Sequence, residues 1–539
     1  MELVTKNLDH LGLVAGMCDE IGLVETIDGL CGTQAHNKNL TFGQCVKCMI
    51  MNGLGFVGRT LYLYSEYFED KPIEHLLGVP VKSQQIDDNV LGRTLDRLFE
   101  LGVTPLFTKI ALKAMQVIGI QVTSLHLDST SFHVDGNYQG AIGEDESKIV
   151  LTHGYSRDHR PELKQVVLQL ITSNEGNLPL FMQAASGNTS DKTAFSQIIS
   201  EHIASFREAV NNRYIVGDSA LFTPDSLSEM KGSLFVSRVP HQIKKEQKLI
   251  EGSQKECMIP IGEGYLGIEH EVVYADVRQR WVLVFSEAAY NRECRTLRKN
   301  FLKGSEKELK SFTQLSKERF ACEKDALKKA HRLVSNFNYL KVKGLTVSVV
   351  KKHGSLGRPK KGVEPNTVAY QIRGIPYTEL ETKEAMEKEK GFFVLATNDM
   401  NREDFPMQNV LQTYKSQQSV ERGFRFLKSP DFLVSSLFLK KPERIEALLM
   451  IMTLCLLIYS AIEHRVRSQL CKNNEFFPDQ KKRPSQKPTT RWVFYCFLGL
   501  HLVFIDGEKN RVTNLKERHQ IILRCLGPPY ERIYYSEFW

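Results

Sequence analysis

The sequence predicts an α/β protein: a core of alternating strands and helices, interrupted by a mixed β/helical insertion and preceded by an amino-terminal helical domain. Three observations predict it. Residues 1–122 show helical periodicity, most clearly over 89–100, where Leu91, Leu95 and Leu98 recur three and four apart. Residues 123–240 switch to short β-favouring runs separated by helical stretches. About two hundred residues then separate Asp218 from Glu421. A core loop of that length without structure of its own is implausible, so 241–390 is expected to be an inserted domain.

The elements follow in order. The first core strand covers 125–134, rich in β-favouring residues and stopped by Asp135-Gly136. Strands over 149–155 and 164–172 come next, the latter extended by 178–183, then a helix over 192–211. The short apolar run Tyr214-Ile-Val-Gly217 reads as a buried strand leading through Asp218 into a turn, followed by a helix over 224–231 and a strand over 234–239. Inside the insertion, strands are expected at 271–277 and 280–285, with Trp281 a strand core residue, then a charged helical stretch at 295–334 and strands at 345–350 and 367–372. Residues 391–470 return to the core. They hold a helix at 414–428 and the apolar run 447–462, bracketed by Glu446 and Glu463 and short of the ~20 residues a membrane span needs, hence a buried core helix. Residues 471–539 form a basic linker, Lys481-Lys-Arg-Pro-Ser-Gln-Lys487, and a carboxyl-terminal segment.

The helix at 414–428 carries the chemistry. Tyr414, Gln417, Glu421 and Lys428 fall within about 60° of one face at ~100° per residue, beside an apolar stripe of Val420, Phe424 and Leu427. Burying the stripe presents the four polar groups as a row, with Lys428 about 10 Å beyond Glu421 by the ~1.5 Å rise. Alone, such a row is an ordinary solvated face. Two upstream carboxylates change that reading: Asp128 in mid-strand, costly to bury without cations or donors, and Asp218 at the carboxyl end of a buried strand, where α/β sites collect.

The order Asp128, Asp218, Glu421 resembles the DDE triad of transposases with a ribonuclease-H-like core. The helix resembles the Y-x2-R-x3-E-x6-K signature of the insertion-sequence-four superfamily of bacterial and archaeal transposases, with every spacing kept. Position 417 departs, carrying Gln where the signature has Arg, which removes a charged clamp; Arg422 and Arg425 lie on neighbouring turns to supply charge. Further similarity to one branch of these enzymes includes Leu40-Thr-Phe-Gly-Gln44, Gly187-Asn-Thr-Ser-Asp191, Val236-Ser-Arg-Val-Pro240, Arg444-Ile-Glu-Ala447 and Arg491-Trp-Val-Phe494.

The resemblance implies a ribonuclease-H-like catalytic core over 123–240 and 391–470, an insertion at 241–390, and an amino-terminal region, 1–122, that recognises the element's terminal DNA. It implies that Asp128, Asp218 and Glu421 hold Mg²⁺, with Mn²⁺ as substitute. Tyr414, Gln417 and Lys428 are expected to grip DNA phosphates. The activity implied is cleavage at inverted-repeat ends and strand transfer into target DNA by a homodimer, in the cytoplasm of a bacterium or archaeon, at the nucleoid. Two rivals stay open: a catalytically inactive DNA-binding regulator on the same scaffold, and a metal-dependent nuclease without strand transfer.

Lys351-Lys-His-Gly-Ser-Leu-Gly-Arg-Pro-Lys-Lys-Gly362 has lysines on both sides of a Gly-Arg-Pro core; an extended Arg-Pro segment fits Arg358 to a narrow minor groove, and a solvated basic hairpin tip fits equally. Composition agrees with these readings without finding them. The chain has 539 residues, 42% hydrophobic and 25% charged, with net charge +8, which suits a polyanionic partner without requiring one. Eleven cysteines, an odd number, suggest a reducing compartment, and Cys45-Val-Lys-Cys48 lies in an apolar helix with no second pair at zinc spacing. No charged-then-apolar leader is visible at the start, and no membrane partner is expected.

Overall fold

A computed structural model describes residues 2–32, 40–56, 63–134, 149–156, 160–210, 213–230, 232–352, 367–429, 439 and 441–535. Arg358 lies outside them. The chain divides into two compact units: Met1–Arg238, Val272–Arg280 and Ala396–Trp539 form one, and Val239–Glu271 with Trp281–Leu395 form the other.

In the first unit, β1 (Leu3–Asn7) is followed, among the described residues, by α1 (Leu11–Glu20), α2 (Leu23–Cys31), α3 (Phe42–Leu54), α4 (Tyr64–Glu69), α5 (Ile73–Leu77), α6 (Asp88–Glu100) and α7 (Val103–Ile118). The Leu40-Thr-Phe-Gly-Gln44 motif is a helix start. Thr41 Oγ1 accepts from the Gln44 amide at 3.2 Å, and Gln44 Oε1 accepts from the Thr41 amide at 3.0 Å, so two otherwise orphaned donors are satisfied. Gly43 is required there, because a Cβ would sit 2.6 Å from the Val24 carbonyl oxygen. Cys45 and Cys48 face the core, 2% and 0% exposed, and burial pushes the Cys45 thiol up to about 11.

The strands that follow are β2 (Ser124–Val134), β3 (Lys164–Ser173), β4 (Pro179–Ser186), β5 (Tyr214–Gly217) and β6 (Leu234–Arg238), with α8 (Asp191–Val210) before β5 and α9 (Pro224–Glu229) after it. They lie in the order β4-β3-β2-β5-β6. β2, β3 and β4 pair antiparallel, whereas β5 and β6 run parallel to β2. That arrangement is the ribonuclease-H-like order. Two expectations need correcting. Residues 149–155 make only a bridge, Thr152 with Gln165, because Val150 bonds to Ser186 and Gly187 around the β4 end and so builds no strand ladder. Residues 178–183 belong to a separate strand, turned back from β3 through Gly176 and Asn177 at positive φ.

The second unit holds α10 (Lys244–Glu251), β7 (Ile259–Gly262) and most of β8 (Tyr265–Tyr274) and β9 (Val277–Ser286), where Trp281 is fully buried. Then come α11 (Glu287–Lys317), α12 (Glu323–Val334), the antiparallel ribbon β10 (Lys341–Lys352) with β11 (Thr367–Tyr377), α13 (Leu380–Lys388) and β12 (Phe392–Thr397). The charged helical stretch is two helices. Glu318 takes an extended conformation and Phe320 pairs with Tyr370, which draws the chain onto the ribbon. Phe312, Leu315, Ala326, Ala330 and Ile372 form the core beneath.

Returning to the first unit, the chain makes α14 (Met407–Lys415), α15 (Gln418–Leu427) and α16 (Pro442–Lys472). By length and composition α16 would cross a membrane, being longer than the apolar run alone indicates, but 89% of its most apolar window is buried inside the protein. It packs against α1, α3, α6, α7 and α15, as a helix apolar on all sides must. The end of the chain adds β13 (Phe477–Pro478) and β14 (Pro484–Ser485), α17 (Thr490–Phe497), β15 (His501–Ile505), β16 (Glu508–Thr513), α18 (Glu517–Leu526) and α19 (Pro528–Tyr534). The basic segment after Pro478 is a tight turn, with Asp479 Oδ1 accepting from the amides of Lys481 and Arg483, both at 2.8 Å. β15 pairs with β1.

Candidate active site

β2 and β5 set two of the three carboxylates. Their parallel register pairs Ser124 with Tyr214, Leu125 with Ile215 and His126 with Val216. Asp128 follows the last of these pairs by two residues on β2, and Asp218 follows it by two, just past the end of β5. Both side chains are half-buried. β5 stops at Gly217 because Asp218 opens a turn: its Oδ1 accepts from the Ala220 amide at 2.8 Å, and its carbonyl oxygen accepts from Ser237 Oγ at 2.8 Å. Asp128 Oδ1 accepts from the Ser129 amide, also at 2.8 Å.

The third carboxylate arrives on α15. The expected single helix is broken at Ser416 and Gln417, both still in the right-handed helical region, with Gln417 N–H bonded to the Tyr414 carbonyl and Val420 N–H to the Gln417 carbonyl. These three-residue bonds tighten the chain locally, so the row of four does not follow one uniform helix face. Gln417 is buried, 8% exposed, and does not stand on the polar margin. The apolar stripe behaves as expected: Val420, Phe424 and Leu427 are buried. Gly423 lets α15 approach Leu456 of α16, and Phe426 meets Tyr459 at 4.3 Å between ring centroids. Glu421, Arg422 and Arg425 are exposed, and Tyr414 and Lys428 half-buried.

Two contacts fix this helix along β2. Ser416 Oγ lies 3.2 Å from His126 Nε2, and Lys428 Nζ stands 5.7 Å from the Phe132 ring centroid. His126, Asp128, Thr130 and Phe132 share one face of the strand, since side chains alternate. From position 416 to 428 a helix rises about 18 Å, and from 126 to 132 a strand advances about 20 Å, so the two run alongside in step. Glu421 lies on α15 between these two contacts, exposed to solvent.

Tyr414 feels two of the three carboxylates. Burial is the largest influence raising its phenol above the ordinary value, the negative charges of Asp218 and Glu421 act in the same direction, and Arg238, hydrogen-bonded to the phenol, opposes them. Arg238 belongs to the Val236–Pro240 motif, where local sequence suggests no role for it. Its signal was position, at the end of β6 one step past the Gly217–Ser237 pair and so beside Asp218. His126 is likewise new: burial pushes its imidazole down to about 4, so at neutral pH it is uncharged and acts through hydrogen bonds. A pocket of about 300 Å³ is lined by Thr130, Ser131, Tyr155, Gln165, Val167, Thr189, Ser190, Lys192 and Ala220.

Among the described residues, no three His, Cys, Asp or Glu side chains form a ready-made metal cluster. The donor types fit a hard divalent cation nonetheless: carboxylate oxygens, partly open to water, with no soft ligands among them.

The family described as "Transposase DDE domain" matches residues 124–458, from the first residue of β2 into α16. The chain belongs to this family. A second family, a domain of unknown function (DUF4277), matches residues 3–112 of this DDE transposase. No curated protein matches the sequence. Among solved structures, one described as a cryo-EM structure of piggyBac transposase synaptic complex with hairpin DNA is 9% identical, with 92% of this chain and 83% of that one covered and a TM-score of 0.38. Another, a Mos1 transposase paired-end complex with left transposon end, is 10% identical over 37% of this chain and 59% of that one, with a TM-score of 0.14. Neither similarity is close enough to define a shared architecture.

Proposed function

We propose that this DDE transposase cuts DNA at the ends of an insertion sequence and joins those ends to target DNA, with Asp128, Asp218 and Glu421 as its catalytic carboxylates. What supports the reading is the parallel register of β2 with β5, the strands that carry or lead into Asp128 and Asp218, together with the two contacts that hold the start and end of the Glu421 helix against β2. The spacing of Tyr414, Glu421 and Lys428 supports a place in the insertion-sequence-four superfamily.

The three carboxylates would hold Mg²⁺, or Mn²⁺ in its place, which when bound supplies charge neutralisation and an activated oxygen nucleophile for phosphodiester chemistry. Asp128 would offer oxygens from the middle of β2 and Asp218 from the turn just after β5, while Glu421 would offer one from a helix held by its buried stripe. Lys428 and Arg238 bring positive charge to either side of the carboxylates, where a phosphate backbone would lie. Tyr414, held by Arg238, orients that strand by hydrogen bonding. Joining two ends to a target calls for two active sites, hence a homodimer with end DNA and target DNA as partners.

The test is Mg²⁺-dependent nicking of a duplex bearing the element's ends, by the wild type and by Glu421→Ala. Loss of nicking in the variant supports the assignment; equal activity removes Glu421 from the site. Gln417 favours a second reading, a DNA-binding regulator without catalysis, because an uncharged, buried side chain stands where the signature carries a clamp. A wild type that binds ends and never nicks them supports that reading.

A further inference from the structure

α11 carries a long basic face in the second unit. Arg292, Arg295, Lys299, Lys303, Lys310 and Lys317 are all exposed, and at ~100° per residue they fall within about 80° of arc. From the first to the last the helix rises about 37 Å, slightly more than one turn of duplex DNA at about 34–36 Å. Glu306 is the acid on that arc, so the face carries six positive charges and one negative, a net of five, in a chain whose total is +8.

The opposite face packs against the rest of the unit. Cys294, Phe312 and Leu315 are buried there. Glu308 accepts the backbone amides of Asn338, Tyr339 and Leu340 between 2.8 and 3.1 Å, and Glu293 accepts the Gly391 amide at 3.0 Å. Two of the acids of α11 are thus bonded inside the unit. None of the six basic residues joins an ion pair among the described residues; the α11 pair that does form, Arg298 with Glu387 at 3.6 Å, lies off the arc.

A merely solvated helix face mixes signs, because Glu and Lys three or four apart attract and like charges at those spacings repel. Here Arg295, Lys299 and Lys303 are successive like neighbours. Such a face gains from a polyanion whose charges recur along its length. An open groove of about 790 Å³ runs beside it between α11 and the β10–β11 ribbon, with Lys343 and Arg373 on its far wall.

We propose that α11 is a duplex-tracking surface, which binds the phosphates of about one helical turn of DNA without reading its bases. The inference rests on the transposase reading, which supplies DNA as the polyanion, and adds where the duplex lies on this unit. Phosphate contacts of this kind release counterions, so affinity falls with salt by a slope of about 0.9 per contact.

The experiment measures binding of a random-sequence duplex across a salt series, using the full chain. Lys299→Glu/Lys303→Glu/Lys310→Glu should weaken binding at low salt and flatten the slope by about 2–3, since each phosphate left without its lysine subtracts about 0.9. The corresponding Gln triple variant, which adds no acid, should flatten it similarly and guards against misfolding. Lys324→Glu/Lys328→Glu on α12 serves as the charge control and should change it less. A wild-type slope in both triple variants, or an equal change in the control, overturns the proposal. A wild type that nicks end-bearing DNA while the triple variants bind random duplex normally sinks this inference alone; a wild type that neither nicks nor binds duplex sinks both.

Discussion

Ser416 Oγ and His126 Nε2 lie 3.2 Å apart, although 290 positions separate them in sequence. The contact joins the break between α14 and α15 to the strand that carries Asp128. His126 Nε2 is also 3.2 Å from Ser124 Oγ, while its Nδ1 has no hydrogen-bond partner among the described residues. The imidazole is a positioning group for the carboxylate helix.

His126→Asn should therefore lower nicking by about 10-fold to 10²-fold, the scale of a misplacement of about 1 Å, with metal-dependent stabilisation largely kept. Its stability profile should change as well. The folded His126 is pushed down to about 4 from an ordinary 6.5, so the unfolded chain binds more protons between those values, and stability falls as pH drops from about 6.5 towards 4. His10, also pushed down to about 4 by burial, adds to the same trend. Denaturant titrations across that window should show a shallower pH dependence in His126→Asn, with up to about 3 kcal/mol of the wild-type decline absent.

Asp128→Asn should abolish the gain in thermal stability that Mg²⁺ gives the wild type and reduce nicking by at least about 10³-fold, the scale of removing one preorganised transition-state stabiliser. Its melting temperature without Mg²⁺ should stay near the wild-type value, because Asn has the same size and its amide oxygen can still accept from the Ser129 amide. An unchanged response to Mg²⁺ would remove Asp128 from the metal site.

Restoring the signature arginine should not help this protein. Gln417 is 8% exposed at a tight junction, and Gln417→Arg would place a guanidinium where there is little water. The variant should lose about 1–3 kcal/mol in urea unfolding, the cost of an unsatisfied buried polar group, with no gain in end-DNA affinity. Higher affinity at unchanged stability would show that this side chain can reach the phosphates.

Arg444 has a structural role. Its Nε and Nη2 donate to the two Asp96 oxygens, each at 2.7 Å, and this hydrogen bonding holds the Asp96 carboxyl below its ordinary value. Both side chains are about a third exposed, so solvent screens the pair, and Asp96→Asn should cost about 1 kcal/mol near neutral pH. Because the folded carboxyl is lowered, the wild-type advantage is full above the unfolded value of about 3.9 and disappears as pH falls through the folded one. Urea unfolding at neutral and strongly acidic pH checks both.

Most of the core was legible because burial imposes period. Val420, Phe424 and Leu427 had to be buried if 414–428 was helical at all, and the run ending at Gly217 had to be a short inner strand. What escaped depends on contacts between distant segments. Nothing local in Ser416-Gln417 announces a break, which follows from bonding to His126. Residues 149–155 have the composition of a strand, but their partners sit at the turn after β4. Arg238 was hidden for the same reason, since its neighbour Tyr414 lies far along the chain. Several motifs that carried the resemblance serve packing: Thr41 and Gln44 cap a helix, Arg444 clamps Asp96, and Phe494 stacks on His10 at 4.4 Å between centroids.

The pairing of β1 with β15, which aligns Leu3 with Ile505 and Asn7 with His501, bears on how the protein is made. Gly12 and Gly16 of α1 likewise receive Tyr534 and Tyr530 from the far end of the chain. At about 5–20 residues per second a ribosome needs roughly 25–100 s to reach these partners. Until then the first helices emerge with an uncovered apolar side, so a nascent chain halted before residue 500 should be a substrate for chaperones and proteases.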